Sequence, residues 1–75
     1  MGGDGMRFYE FHFRDGRGAT PALDFSECAD DAAAVKAARV ALGTHTSCAA
    51  VEVFDGARRV GRVERLLHLR PAGRN

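Results

Sequence analysis

The stretch Arg7-Phe8-Tyr9-Glu10-Phe11-His12-Phe13-Arg14-Asp15-Gly16 decides how this chain folds. In an extended backbone, successive side chains point to opposite faces. Tyr9, Phe11 and Phe13 then share one face, and Phe8, Glu10, His12 and Arg14 share the other. Aromatic residues on both faces predict a strand inside a sheet rather than at its edge. Asp15-Gly16 ends the strand with turn chemistry, and Gly18 and Pro21 carry the loop onward.

Working outward, a second strand is expected from about Ala22 to Glu27, with Leu23 and Phe25 pointing inward. Asp30 or Asp31 is placed to accept from the free amides of a following helix, and their charge suits its positive end. That helix should run from Asp31 to about Leu42. Val35, Ala38 and Leu42 fall on one stripe with Ala34 and Ala41, while Lys36 and Arg39 point outward. Its alanines favour helix and allow close approach to a sheet, and Gly43 is the expected left-handed stop. A third strand is expected from Ala49 to Phe54, with Val51 and Val53 inward. Asp55-Gly56 makes a second turn. The fourth strand, about Arg58 to Arg65, is irregular because its apolar residues stand at Val60, Val63 and Leu66, and Gly61 marks a candidate bulge.

These elements define an α+β fold of ββαββ type, a four-stranded antiparallel sheet with one helix packed on one face. The helix returns the chain across the sheet, so strands two and three run parallel to each other. Placing strand one between them gives the order 2-1-3-4 with every neighbouring pair antiparallel, reached by a right-handed crossover. Residues 1–6 read as a flexible leader, 7–66 as a single domain and 67–75 as a basic tail. Both hairpins carry Asp-Gly after a strand, which reflects shared turn chemistry rather than a duplicated unit.

The run Phe11-His12-Phe13-Arg14-Asp15-Gly16, followed by a short strand and an Asp-led, alanine-rich helix, resembles an uncharacterised family of short proteobacterial proteins. Members open with an aromatic–His–x–x–Asp–Gly hairpin, and the likeness covers roughly Phe8 to Val63. In place of the family's acidic, glycine-containing loop this chain has Arg17-Gly18-Ala19-Thr20-Pro21. The resemblance implies a fold and no activity.

Composition narrows the function classes. The chain has 75 residues, with 45% hydrophobic and 28% charged side chains, as in an ordinary globular domain. A domain of this size buries only roughly 60% of its unfolded surface, so self-association as a homodimer would extend a thin core. The longest apolar runs, Ala32 to Val35 and Cys48 to Val51, fall far short of the ~20 residues of a membrane span or the ~7–15 of a signal peptide. Met6 stands where a myristoylation signal at Gly2 wants Ser or Thr. The expected compartment is the cytoplasm. The net charge of +1 conceals an asymmetry. Residues 1–56 hold five basic and nine acidic side chains, whereas residues 57–75 hold six arginines and one glutamate.

No constellation points to catalysis, a cofactor or a metal. His12, His45 and His68 with Cys28 and Cys48 offer zinc-type ligands, but the expected helix holds Cys28 and the His45/Cys48 pair roughly 18 Å apart. The same separation forbids a disulfide between the cysteines. His45 and Cys48 lack an orienting third group for nucleophilic catalysis. Asp15-Gly16-Arg17-Gly18 has neither the spacing nor the lysine of a phosphate loop.

What remains is a candidate interaction surface of Phe8, His12, Arg58, Arg59, Arg62 and Arg65. Phe8 is either one corner of a protein-binding patch or packed under Leu66, Leu67 and Leu69. His12 is a strand residue paired with a neighbour or a pH-sensitive contact. The four arginines either guard an edge strand, meet an acidic protein or contact nucleic acid. Alternation sends Arg58, Arg62 and Glu64 to one face and Arg59 and Arg65 to the other, dividing the charge. The expected role is a small non-enzymatic protein-interaction module with a protein partner or a second copy of itself. An accessory nucleic-acid binder using the arginine-rich fourth strand is the alternative.

Overall fold

The aromatic run forms the centre of the sheet. A computed structural model describes residues 6–65 and places β1 (Arg7–Arg14) between β2 (Ala22–Cys28) and β3 (Ala50–Asp55). β4 (Arg58–Glu64) lies beyond β3, giving the order β2-β1-β3-β4 with all neighbours antiparallel. The one helix among the described residues, α1 (Asp31–Thr44), packs on one face. The architecture is thus the expected ββαββ fold, strand order included. The basic tail at 67–75, and with it the packing of Phe8 under Leu66, Leu67 and Leu69, lies outside the described residues, as does the leader before Met6.

The core follows from β1. Tyr9, Phe11 and Phe13 are buried under α1 with Val51 and Val53 of β3. Ala34, Ala38 and Leu42 are the buried residues of the helix, and the small volume of the two alanines leaves room for the aromatic rings beneath it. The rings of Phe11 and Phe13 meet edge to face at 6.5 Å, a favourable arrangement of their quadrupoles.

β2 faces the opposite way from expectation. Leu23 and Phe25 are exposed, not inward, while Cys28 is buried. The register explains the reversal. Phe13 stands opposite Ala22, Phe11 opposite Asp24 and Tyr9 opposite Ser26, and directly opposed residues share a face. Short side chains therefore flank the large rings beneath the helix. Leu23 and Phe25, opposite His12 and Glu10, are left on the helix-free face. A one-residue slip would reverse every side chain of the strand.

The helix begins as its sequence dictates. The Asp30 carboxylate accepts from the Ala33 amide at 2.8 Å. The expected stop at Gly43 is not used: α1 continues to Thr44, and Gly43 has no positive φ. The terminal carbonyls find other donors. The Thr44 hydroxyl donates to the Ala41 carbonyl at 2.8 Å, and the Arg65 guanidinium donates to the carbonyls of Leu42 and His45.

β4 solves its irregular spacing with a bulge. Val53 pairs with Gly61 and Phe54 with Arg59, leaving Val60 as the extra residue. The bulge lies beside Gly61, one residue from the expected position. It lets Val60 and Val63, three apart, both reach the core. Gly61 itself lies under α1, where an added Cβ would stand 3.4 Å from Val35 Cγ2.

Candidate interaction face

Two sets of charges flank the sheet, and they do different work. On the helix side, Arg58 reaches the start of α1 and donates through two nitrogens to Asp31, each at 3.0 Å. It also donates to Asp55 at 3.0 Å, which Arg7 meets at 3.1 Å. The Tyr9 hydroxyl completes the cluster by donating to Asp31 at 2.9 Å. The Arg58 guanidinium, helped by the Tyr9 hydroxyl, holds the Asp31 carboxyl below its ordinary value. Burial pushes the Tyr9 phenol up, and the carboxylates around Arg58 raise its already high value further. This cluster ties the β3–β4 turn to the helix N-terminus. Arg65, at the other end, donates to the carbonyls of Cys48, Leu42 and His45. Arg58 and Arg65 are thus engaged in holding α1.

The face without a helix is divided. Towards β4 it is charged. Glu52, the one buried charged residue among those described, stands within 2.9 Å of Arg62, 3.1 Å of Arg59 and 3.6 Å of Arg14. Arg62 also donates to Glu64 at 3.0 Å. The division of arginines therefore differs from simple alternation. The bulge at Val60 moves Arg59 onto the same face as Arg62 and leaves Arg58 on the helix side.

Towards β2 the same face is apolar. Phe8 is 69% exposed, Phe25 59% and Leu23 54%. His12 lies between the two halves. Its ring sits 4.5 Å from that of Phe54, and its Nε2 is 3.0 Å from Glu10 Oε1. Phe8 and His12 are therefore on this face as expected, joined by Arg59 and Arg62 but not by Arg58 or Arg65. Leu23, Phe25 and Glu52 were missed as members. Their signal was available in the pairing of small residues against the large rings of β1, which turns Leu23 and Phe25 outward.

His45 stacks on Phe13 with ring centroids 4.0 Å apart, and Cys28 and Cys48 are free and buried. These side chains serve the core rather than a cleft. A shallow hollow of about 400 Å³ opens beside the β1–β2 loop, lined by Arg14, Asp15, Arg62, Glu64 and Arg65 among others. Four of these already have partners described above, and Asp15 accepts from the amides of Arg17 and Ala19 at 2.8 and 3.0 Å. Among the described residues no helix is long and apolar enough to cross a membrane. No family model, curated protein or solved structure matches the chain.

Proposed function

We propose that this chain is a small, non-enzymatic protein-interaction module that works in the cytoplasm and presents its helix-free sheet face to another protein. One observation carries the proposal. Three large apolar side chains, Phe8, Leu23 and Phe25, stand more than half exposed on the β2 side of a single face, and the arginine pairs of Glu52 border them towards β4. Neighbouring exposed apolar groups bordered by polar residues mark a protein-interaction surface. Kinship with the short proteins that share the aromatic–His–x–x–Asp–Gly hairpin is part of the proposal and adds no activity.

The alternative, nucleic-acid binding through the fourth strand, has less support. Arg58, Arg59 and Arg62 lie against carboxylates and Arg65 against carbonyls, so little cationic charge is left for phosphates. The test is capture of partners from the native cell by the full chain and by a Phe8→Ser/Phe25→Ser variant. Loss of specific partners with the variant is expected, and identical capture by both would reject the proposal. Sedimentation at several concentrations adds a second readout. Self-association abolished by the same substitutions would identify the partner as a second copy.

A further inference from the structure

We infer that the outer edge of β2, unpaired among the described residues, accepts an extended segment of another protein, rich in alternating basic and apolar residues, as a fifth strand. This rests on the protein-interaction proposal and names the partner's chemistry.

The two edges of the sheet are built differently. β4 carries Arg58, Arg59 and Arg62 and a bulge at Val60, features that blunt an edge against pairing. β2 has seven residues without proline, lysine or arginine, and its register with β1 is unbroken. Its outer backbone groups are accessible in an ordered way. The Phe25 amide donates to its neighbour's carboxylate, Asp24 Oδ1, at 2.8 Å rather than into the ladder. Antiparallel geometry turns the amides of alternate residues the same way, so Leu23 and Glu27 share that outward direction. These three residues also place their side chains on the helix-free face. An added strand would set its own alternate side chains beside exposed Leu23 and Phe25.

Charge selects the occupant. The only charged residues of β2 are Asp24 and Glu27, both exposed, and Asp30 follows at the helix cap. A second copy pairing edge to edge in the fully overlapped antiparallel register would set Asp24 opposite Ser26 and Glu27 opposite Leu23, so two acidic edges would meet with no basic group between them. Pairing β2 with β4 of another copy would have to run through a bulged edge and arginines already held by Glu52, Asp31 and Glu64. A basic and apolar strand from another protein has neither problem. Its basic residues stand beside Asp24 on the helix side, and its apolar residues beside Leu23 and Phe25 on the helix-free face.

The probe is a synthetic peptide alternating lysine with valine and threonine, beside a counterpart with glutamate for lysine. Both are titrated into the nitrogen-15-labelled full chain. The lysine peptide should shift the Leu23, Phe25 and Glu27 amides and slow their exchange by about tenfold or more, and the glutamate peptide should do neither. Asp24→Lys/Glu27→Lys should reverse that preference. Leu23→Pro, which removes an outward donor, should abolish binding with the α1 and β3 resonances unmoved, while Leu23→Ala, which removes the same side chain and keeps the donor, should only weaken it; should the proline variant unfold, the charge-reversal pair still decides. Absence of lysine-peptide binding, or equal binding by the reversed variant, overturns the inference. A partner whose contacts move Phe8, His12 and Phe54 while the β2 amides exchange freely overturns strand addition and leaves the open-face proposal standing. Unaltered partner capture by Phe8→Ser/Phe25→Ser removes that proposal as well.

Discussion

Tyr9 shows how one residue serves two parts of the molecule. Its ring is fully buried in the core, and its hydroxyl reaches the surface to donate to Asp31. Asp31 is the acid-sensitive member. Its carboxyl is held below the ordinary value of 3.8, so the folded state favours the charged form. The resulting stability is present above about pH 4 and is lost as pH falls through the lower folded value. Asp31→Asn should therefore lower the melting temperature at neutral pH and flatten its decline in acid. Thermal melts between neutral pH and about pH 2 check this. An unchanged acid profile would assign the decline to other carboxylates. Two phenylalanines report on the faces. Phe11→Ala should cost ~3–5 kcal/mol, as for a buried ring, while Phe25→Ser should stay within about 0.5 kcal/mol, as for an exposed site. Urea titration of both variants separates inner from outer face, and equal losses would contradict the register.

Among the elements, α1 depends on a residue that follows the sheet. A helix leaves its last carbonyls without intrahelical partners, and here Arg65, just past β4, supplies donors to Leu42 and His45 and to Cys48 beyond. The helix end and the last strand therefore close together. Arg65→Met keeps much of the side-chain bulk and removes the donors. It should destabilise by about 1–3 kcal/mol, the scale of lost charge-assisted bonds at a half-buried site. Hydrogen exchange should accelerate at the amides of residues 41–48, and acceleration confined to β4 would show that the arginine does not hold the helix. The bulge in β4 is the second device at this scale. It seats both Val60 and Val63 in the core and delivers Arg59 beside Arg62 over Glu52.

Among the described residues the sheet has one covered face and one open face, because one helix cannot cover both sides of a four-stranded sheet. Arg58, Arg59, Arg62 and Arg65 are distributed around this body and matched with acceptors. At near-physiological salt the chain should bind random-sequence duplex or single strands only weakly, with a shallow salt slope, since Arg58, Arg59, Arg62 and Arg65 already have acceptors and add little to counterion release. Fluorescence titration at several salt concentrations tests this. Micromolar or tighter binding that strengthens steeply as salt falls, and disappears when Arg58, Arg59, Arg62 and Arg65 become glutamine, would put the nucleic-acid alternative first.

Local chemistry alone determined much of this protein. The alternation from Tyr9 to Phe13 marks the inner face of a central strand, Asp30 and the alanine stripe mark the helix, and two Asp-Gly turns mark the hairpins. With the need to return across the sheet, these lead to the order β2-β1-β3-β4. The tertiary structure decided whatever depends on a partner distant in the chain. Leu23 and Phe25 are intrinsically inward residues, and they face outward because the register sets Ala22 and Ser26 beside the rings of β1. Gly43 is intrinsically a helix stop, and it stays helical because Arg65 caps the carbonyls that a left-handed turn would otherwise have satisfied. Strand alternation alone would set Arg59 and Arg62 on opposite faces, yet Arg59 joins Arg62 because the bulge brings both Val60 and Val63 to the core. Short-range patterns fix which backbone states are cheap, and packing against distant residues chooses the face each strand presents.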